Sequence, residues 1–183
     1  TATDNCDGLI TGVTATVFPL TASTTVLWSY TDATGNVSSQ TQEVVIADIT
    51  APVADVADLP LVNEECSATL TAPTATDNCD GLITGVTATV FPITSSTTVL
   101  WTYTDATGNE SSQMQEVVIA DVTAPIPQIA ELPVIVEECS ATLDPPLATD
   151  NCDGEITATT NTQFPVMETT TVIWTYTDAT GNS

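Results

Sequence analysis

The chain has 183 residues, 24 of them Asp or Glu and none Lys, Arg or His, so its net charge is −24 at pH 7. Without a side-chain cation no side-chain salt bridge forms and nothing contacts phosphate, which excludes nucleic acid and an anionic membrane surface as partners. The same absence removes His- and Lys-dependent nucleophilic catalysis, and no apolar run approaches the ~20 residues of a membrane-spanning helix.

The chain repeats itself. Thr-Asp-Asn-Cys-Asp-Gly begins at Thr3, Thr76 and Thr149, and Tyr-Thr-Asp-Ala-Thr-Gly-Asn at Tyr30, Tyr103 and Tyr176, an offset of 73 residues (76 − 3, 149 − 76). A period of that length means an array of small domains. Asp48–Thr50 followed by Ala51-Pro52 recurs as Asp121–Thr123 followed by Ala124-Pro125 and reads as the joint. The expected division is a partial repeat at 1–48, a complete repeat at 49–121 and a nearly complete one at 122–183, an excerpt from a longer array.

In the complete repeat, Val53–Val56 and Leu59–Val62 are short apolar segments, and Ser67–Leu70 is a short run after a cysteine. Ile83–Val90 alternates β-formers with small residues and ends at Phe91-Pro92. Thr97–Thr104 is the strongest predicted strand, with Val99, Trp101 and Tyr103 on one face, and Gln115–Ala120 is the last. Thr, Val and Trp suit a half-buried pleated surface, and no segment has helical periodicity with a cap. Several short strands with Gly, Pro and Asp punctuation predict an all-β sandwich in each repeat. Trp28, Trp101 and Trp174 sit inside apolar strands, which favours a core role over stacking on sugars. Tyr103 is placed for a tyrosine-corner-like contact of its hydroxyl.

Residues 1–48 and 74–121 differ at only five positions: 20, 22, 29, 37 and 41. The third copy has drifted further, with Gly85–Val90 replaced by Ala158–Gln163, yet Asp150–Gly154, Phe164-Pro165, Trp174 and Tyr176–Asn182 are unchanged. The Asp-containing loops persist while a strand changes.

Five cysteines fall in two contexts: Cys66 and Cys139 follow Glu-Glu, and Cys6, Cys79 and Cys152 lie in Asp-Asn-Cys-Asp. The separation of 13 residues from Cys66 to Cys79 recurs from Cys139 to Cys152, and those are the expected disulfides. Each would close a small loop worth about 3 kcal/mol by chain entropy. Regular pairing implies an oxidising, extracellular setting. Cys6 to Cys66 is the alternative; it crosses a joint and leaves an unpaired cysteine further on. Zinc is disfavoured, since neither His nor Cys-x-x-Cys is present.

Calcium is the cofactor the acidic loops suggest. Asp77, Asp80, Asp105 and Asn109 lie in two Gly-containing turns that flank strands, and Asp121 at the joint is placed to donate a ligand to the neighbouring repeat. The equivalent positions are Asp4, Asp7, Asp32, Asn36 and Asp48 in the first copy, and Asp150, Asp153, Asp178 and Asn182 in the third. Hard cations want six to eight oxygens from carboxylates, amides and carbonyls. The competing reading is that Asp and Asn cap the turns through their own backbone. Neither an EF-hand spacing nor a Gly-Gly-x-Gly-x-Asp repeat is present. A carboxylate pair can act on a glycoside, but tandem copies too small for a deep cleft argue against an enzyme.

Ala-Thr-Asp-Asn-Cys-Asp-Gly, Phe-Pro before a Thr-Thr-Val strand, Thr-Asp-Ala-Thr-Gly-Asn and Thr-Ala-Pro at the joint together resemble the hyalin repeat (HYR), an immunoglobulin-like extracellular module. The style is that of tandem repeats in very large surface adhesins of gliding Bacteroidetes, exported by type IX secretion. One departure is that many hyalin repeats carry a further cysteine in the last strand, where this chain has Ser111-Ser112-Gln113-Met114. The resemblance implies tandem immunoglobulin-like β-sandwiches arranged as beads on a string. It also implies a function as the shaft of an extracellular adhesin or surface filament for cell-surface or cell-cell attachment. The partners it implies are other cell surfaces or glycans, reached through regions outside this segment. Two further readings are direct multivalent binding of glycans by the repeats and cation-dependent self-association into a homo-oligomeric fibre.

Overall fold

The computed structural model describes residues 1–183 and is all-β, with strands, turns and bends and no helix. The chain divides into two compact units, Thr1–Thr50 and Ala51–Ser183.

In the first unit β1 (Ala2–Asp4) pairs antiparallel with β2 (Gly8–Ile10), and β3 (Thr24–Thr31) with β4 (Val37–Val44). A bridge between Val13 and Ser29 joins the two hairpins. Val26 is buried, and Phe18 stacks on Trp28 with ring centroids 6.4 Å apart.

The second unit contains the second and third repeats. In the second, β5 (Val53–Ala54), β7 (Thr74–Asp77) and β8 (Gly81–Thr84) form one sheet in the order β5-β7-β8. β6 (Val62–Glu64), β10 (Glu110–Ile119) and β9 (Thr97–Thr104) form another, with β10 antiparallel to β9 and parallel to β6. β9 occupies the residues expected for it. Its side chains alternate as a half-buried strand requires, with Val99, Trp101 and Tyr103 buried and Thr98 and Leu100 exposed. The Ser67–Leu70 run makes only a single bridge, Ala68 to Ile93, and the last strand starts earlier than its apolar residues suggest, at Glu110. Polar residues 110–114 are drawn into the ladder by the register of the β9 hairpin rather than by their own propensity.

The core is Ala68, Ile93, Val99, Trp101 and Val117, with Phe91, Val62 and Leu70 packed around it. Trp101 Nε1 donates to Gln115 Oε1 at 3.1 Å, and Gln115 Nε2 donates to the Pro60 carbonyl at 3.2 Å. The Tyr103 hydroxyl donates to Gln113 Oε1 across the strand pair at 2.7 Å, in place of the backbone partner a tyrosine corner would use. Each buried polar tip therefore has a partner, as burial of Trp and Tyr demands. Just beyond β8 the chain bridges to β9: Val86 and Thr102 exchange backbone bonds of 2.9 and 2.8 Å. A Cβ on Gly85 would lie 3.0 Å from the Tyr103 ring and 3.1 Å from the Pro73 carbonyl.

In the third repeat β11 (Ile126–Pro127), β12 (Leu147–Asp150) and β13 (Gly154–Thr157) reproduce the β5-β7-β8 sheet in order and register. Residues 170–177, the counterpart of β9, make one bridge, Thr175 to Thr159.

Candidate metal centre

The Asp-Asn-Cys-Asp-Gly loop builds itself from local bonds. Asp77 Oδ1 accepts the amides of Cys79 (2.8 Å) and Asp80 (3.0 Å), and Asp150 Oδ1 accepts those of Cys152 (2.8 Å) and Asp153 (2.9 Å). Gly154, at φ 76°, closes the turn in a left-handed conformation that a side chain would oppose. The second loop is just as regular. Asp178 Oδ1 accepts the amides of Thr180, Gly181 and Asn182 at 2.9, 2.6 and 2.8 Å, and Asn182 Nδ2 donates to Asp178 Oδ2 at 2.8 Å. Asp105 and Asn109 repeat this arrangement. The two loops are tied together by Asp80 Oδ2, which accepts the Ala106 amide at 2.7 Å, and by Asp153 Oδ2, which accepts the Ala179 amide at 2.7 Å.

Turn capping therefore accounts for part of the acidic pattern. Asp4, Asp7, Asp32 and Asn36 make the same bonds in the first unit. Burial pushes the Asp105 and Asp178 carboxyls up, but the bonds from Asn109 and Asn182 and from the turn outweigh it and leave both below the ordinary range. Asp32 is likewise lowered, chiefly by Asn36. Asn36, Asn109 and Asn182 point their amide donors at these carboxylates, so they serve as partners of the Asp.

Capping does not use every carboxylate oxygen. Asp121, Asp150 and Asp178 each bring one oxygen to within 4.8 Å of the other two. Asp150 is 4% exposed and Asp178 7%. No donor reaches Oδ2 of Asp121 or of Asp150, and both atoms are buried. Burial, then the charges of Asp150, Asp178 and Glu65, push the Asp121 carboxyl up. In the second repeat Asp77, Asp80 and Asp105 gather within the same span, and Asp77 Oδ2 is again buried without a donor. Asp48 lies in the first unit, half-buried, with its Oδ1 accepting the Thr50 amide at 3.1 Å.

The cysteines do not pair as expected. The disulfide is Cys66–Cys152, which spans 86 residues and joins the second repeat to the third. Cys66 is not bonded to Cys79, nor Cys152 to Cys139, and Cys139 is an exposed free thiol, as is Cys6. The cause is the periodicity. A partner 13 residues on and a partner 86 residues on occupy the same place in the repeat, one period of 73 apart, so spacing does not separate them.

One residue beside the bridge, Glu65, was not among the expected site residues. Glu65 accepts from the Thr123 hydroxyl at 2.8 Å and from Asn151 Nδ2 at 2.6 Å, which links the end of the second repeat to the joint and to the first loop of the third. The recurrence of Glu-Glu before each Cys-Ser was the available signal. Cys152 lies near Glu65 and Asp121, but its sulfur is in the disulfide and offers no thiolate to a metal. The chain matches no family model, no curated protein and no solved structure, so what the site can do is argued from its own geometry.

Proposed function

We propose that this chain is a load-bearing spacer, a shaft segment of a secreted or surface-attached protein that holds an attachment tip away from the cell. Its units are read as immunoglobulin-like modules of the hyalin-repeat type, linked as beads. The observation that carries this reading is the Cys66–Cys152 bridge. Tension along the chain passes from Cys66 through the bridge to Cys152 and bypasses the residues between them, which include β7, β9 and β10 and the core around Trp101. Where each Glu-Glu-Cys cysteine joins the Asp-Asn-Cys-Asp cysteine of the following repeat in this way, about 13 residues of backbone per repeat remain in the covalent path. The rest of each fold is shielded from force.

A disulfide suits an oxidising, extracellular compartment. An all-acid surface suits a shaft that must not stick to itself or to nucleic acid. The buried, hydrogen-bonded Trp101 is unavailable to stack on a sugar, which weighs against direct glycan binding by the repeat.

The test is to hold the chain by its ends in an optical trap. Oxidised, it should reach the contour length of about 97 residues, because the bridge hides the rest. Adding a reductant should then release about 300 Å, at ~3.5 Å per residue. Full extension without reductant would sink the load-bearing reading.

A further inference from the structure

We propose that Asp121, Asp150 and Asp178 bind a calcium ion at the joint between the second and third repeats. Asp121 comes from the linker, Asp150 from the end of β12 and Asp178 from the last Asp-containing turn, so one ion would hold three separate segments. An acidic cluster alone is ordinarily only a solvated face. Here Asp150 is 4% exposed, and its Oδ1 is committed to two backbone amides. Its Oδ2 is the oxygen left for a ligand: it is buried, and no donor reaches it. Asp121 Oδ2 is buried in the same state. Buried carboxylate oxygens without a donor are strongly destabilising, and a chain without Lys, Arg or His has no side chain to neutralise them.

The donor set selects the ion. It is all oxygen, since Cys152 is bridged and histidine is absent, which disfavours zinc and copper. Carboxylates drawn from three segments suit the flexible coordination of calcium better than the rigid, largely hydrated octahedron of magnesium. Asp77, with its own buried, donor-less Oδ2 beside Asp80 and Asp105, repeats the pattern in the second repeat and argues against an accident of one loop. The proposal shares the joint with the load-bearing reading, but it stands on the carboxylates, not on the bridge.

The experiment is a titration of the oxidised, isotope-labelled chain with calcium chloride, followed by amide chemical shifts, with magnesium chloride at equal ionic strength as control. The expected result is saturable shifts at 121–123, 150–153 and 178–182 with a Kd of about 0.1–1 mM. Asp150→Asn and Asp121→Asn keep the Oδ1 acceptor, so the turns remain, and each should weaken binding at the joint by about tenfold or more through loss of ligand charge. A second readout keeps the idea testable without binding data: in EDTA both variants should melt no lower than the parent, because each removes one of the crowded charges, and in calcium the order should reverse. Shifts spread over exposed acids such as Glu43, Asp58 and Asp144, an equal response to magnesium, or unchanged binding in both variants would each overturn the proposal. None of these outcomes depends on the bridge, which the force measurement tests separately.

Discussion

The second and third repeats carry nearly the same strand and treat it differently. Thr97–Thr104 is a full strand paired to β10, and Trp101 is 2% exposed. Thr170–Thr177 has the same Thr, Val, Trp and Tyr pattern, yet it makes one bridge and leaves Trp174 half-buried. Phe164 stacks on Trp174 at 6.1 Å much as Phe91 stacks on Trp101 at 6.4 Å, so the local aromatic contact is present in both. What differs is the ladder: Thr97–Thr104 pairs along its length with β10, whereas Thr170–Thr177 meets only Thr159. Strand propensity alone does not bury a tryptophan; a neighbouring ladder does. The Asp loops behave in the opposite way. They are alike in both repeats because their bonds span only two to four residues.

The largest expected effect falls on both repeats at once. Cys66→Ser combined with Cys152→Ser removes closure of an 86-residue loop, worth about 4.5 kcal/mol by chain entropy. Urea denaturation should show the third repeat melting separately from the second; an unchanged single transition would remove the bridge as a stabiliser of the joint. Next, Trp101→Ala should cost roughly 3–5 kcal/mol, and Trp174→Ala much less. Equal losses, measured by denaturant midpoints, would break the comparison.

A smaller effect should follow Gln115→Leu, which strands Trp101 Nε1 and the Pro60 carbonyl, at about 1–3 kcal/mol. The smallest effect concerns pH. Asp55 accepts from the Thr74 and then the Thr76 hydroxyl, which lowers its carboxyl below the ordinary value, whereas the third repeat has Gln128 at that place. A lowered carboxyl contributes stability above the unfolded value of about 3.9 and loses it as pH falls through the folded value. Acid titration of melting should therefore be slightly steeper below pH ~4 in the parent than in Asp55→Asn. Identical curves would show that these hydroxyl bonds contribute nothing measurable.

Much of the fold was legible. β9 lies at the residues its alternation predicted, and the Asp turns follow from residues that bond their own backbone two to four positions on. Less legible was β10, whose polar first half, Glu110–Met114, is strand only because β9 lies beside it. Among the acidic residues, the sequence placed Asp121 beside the neighbouring repeat but did not separate the carboxylates that gather there, Asp121, Asp150 and Asp178, from Asp153, which is spent on the Ala179 amide.

The sequence by itself determined the all-β character, the 73-residue period, the turns and the exclusion of basic chemistry, because each rests on composition or on contacts within a few residues. Only the tertiary structure decided which cysteine meets Cys66 and which carboxylate oxygens are left buried without a donor. A strictly periodic chain offers each residue the same partner in every copy, and the choice among copies is made by distance in space, which no local pattern encodes.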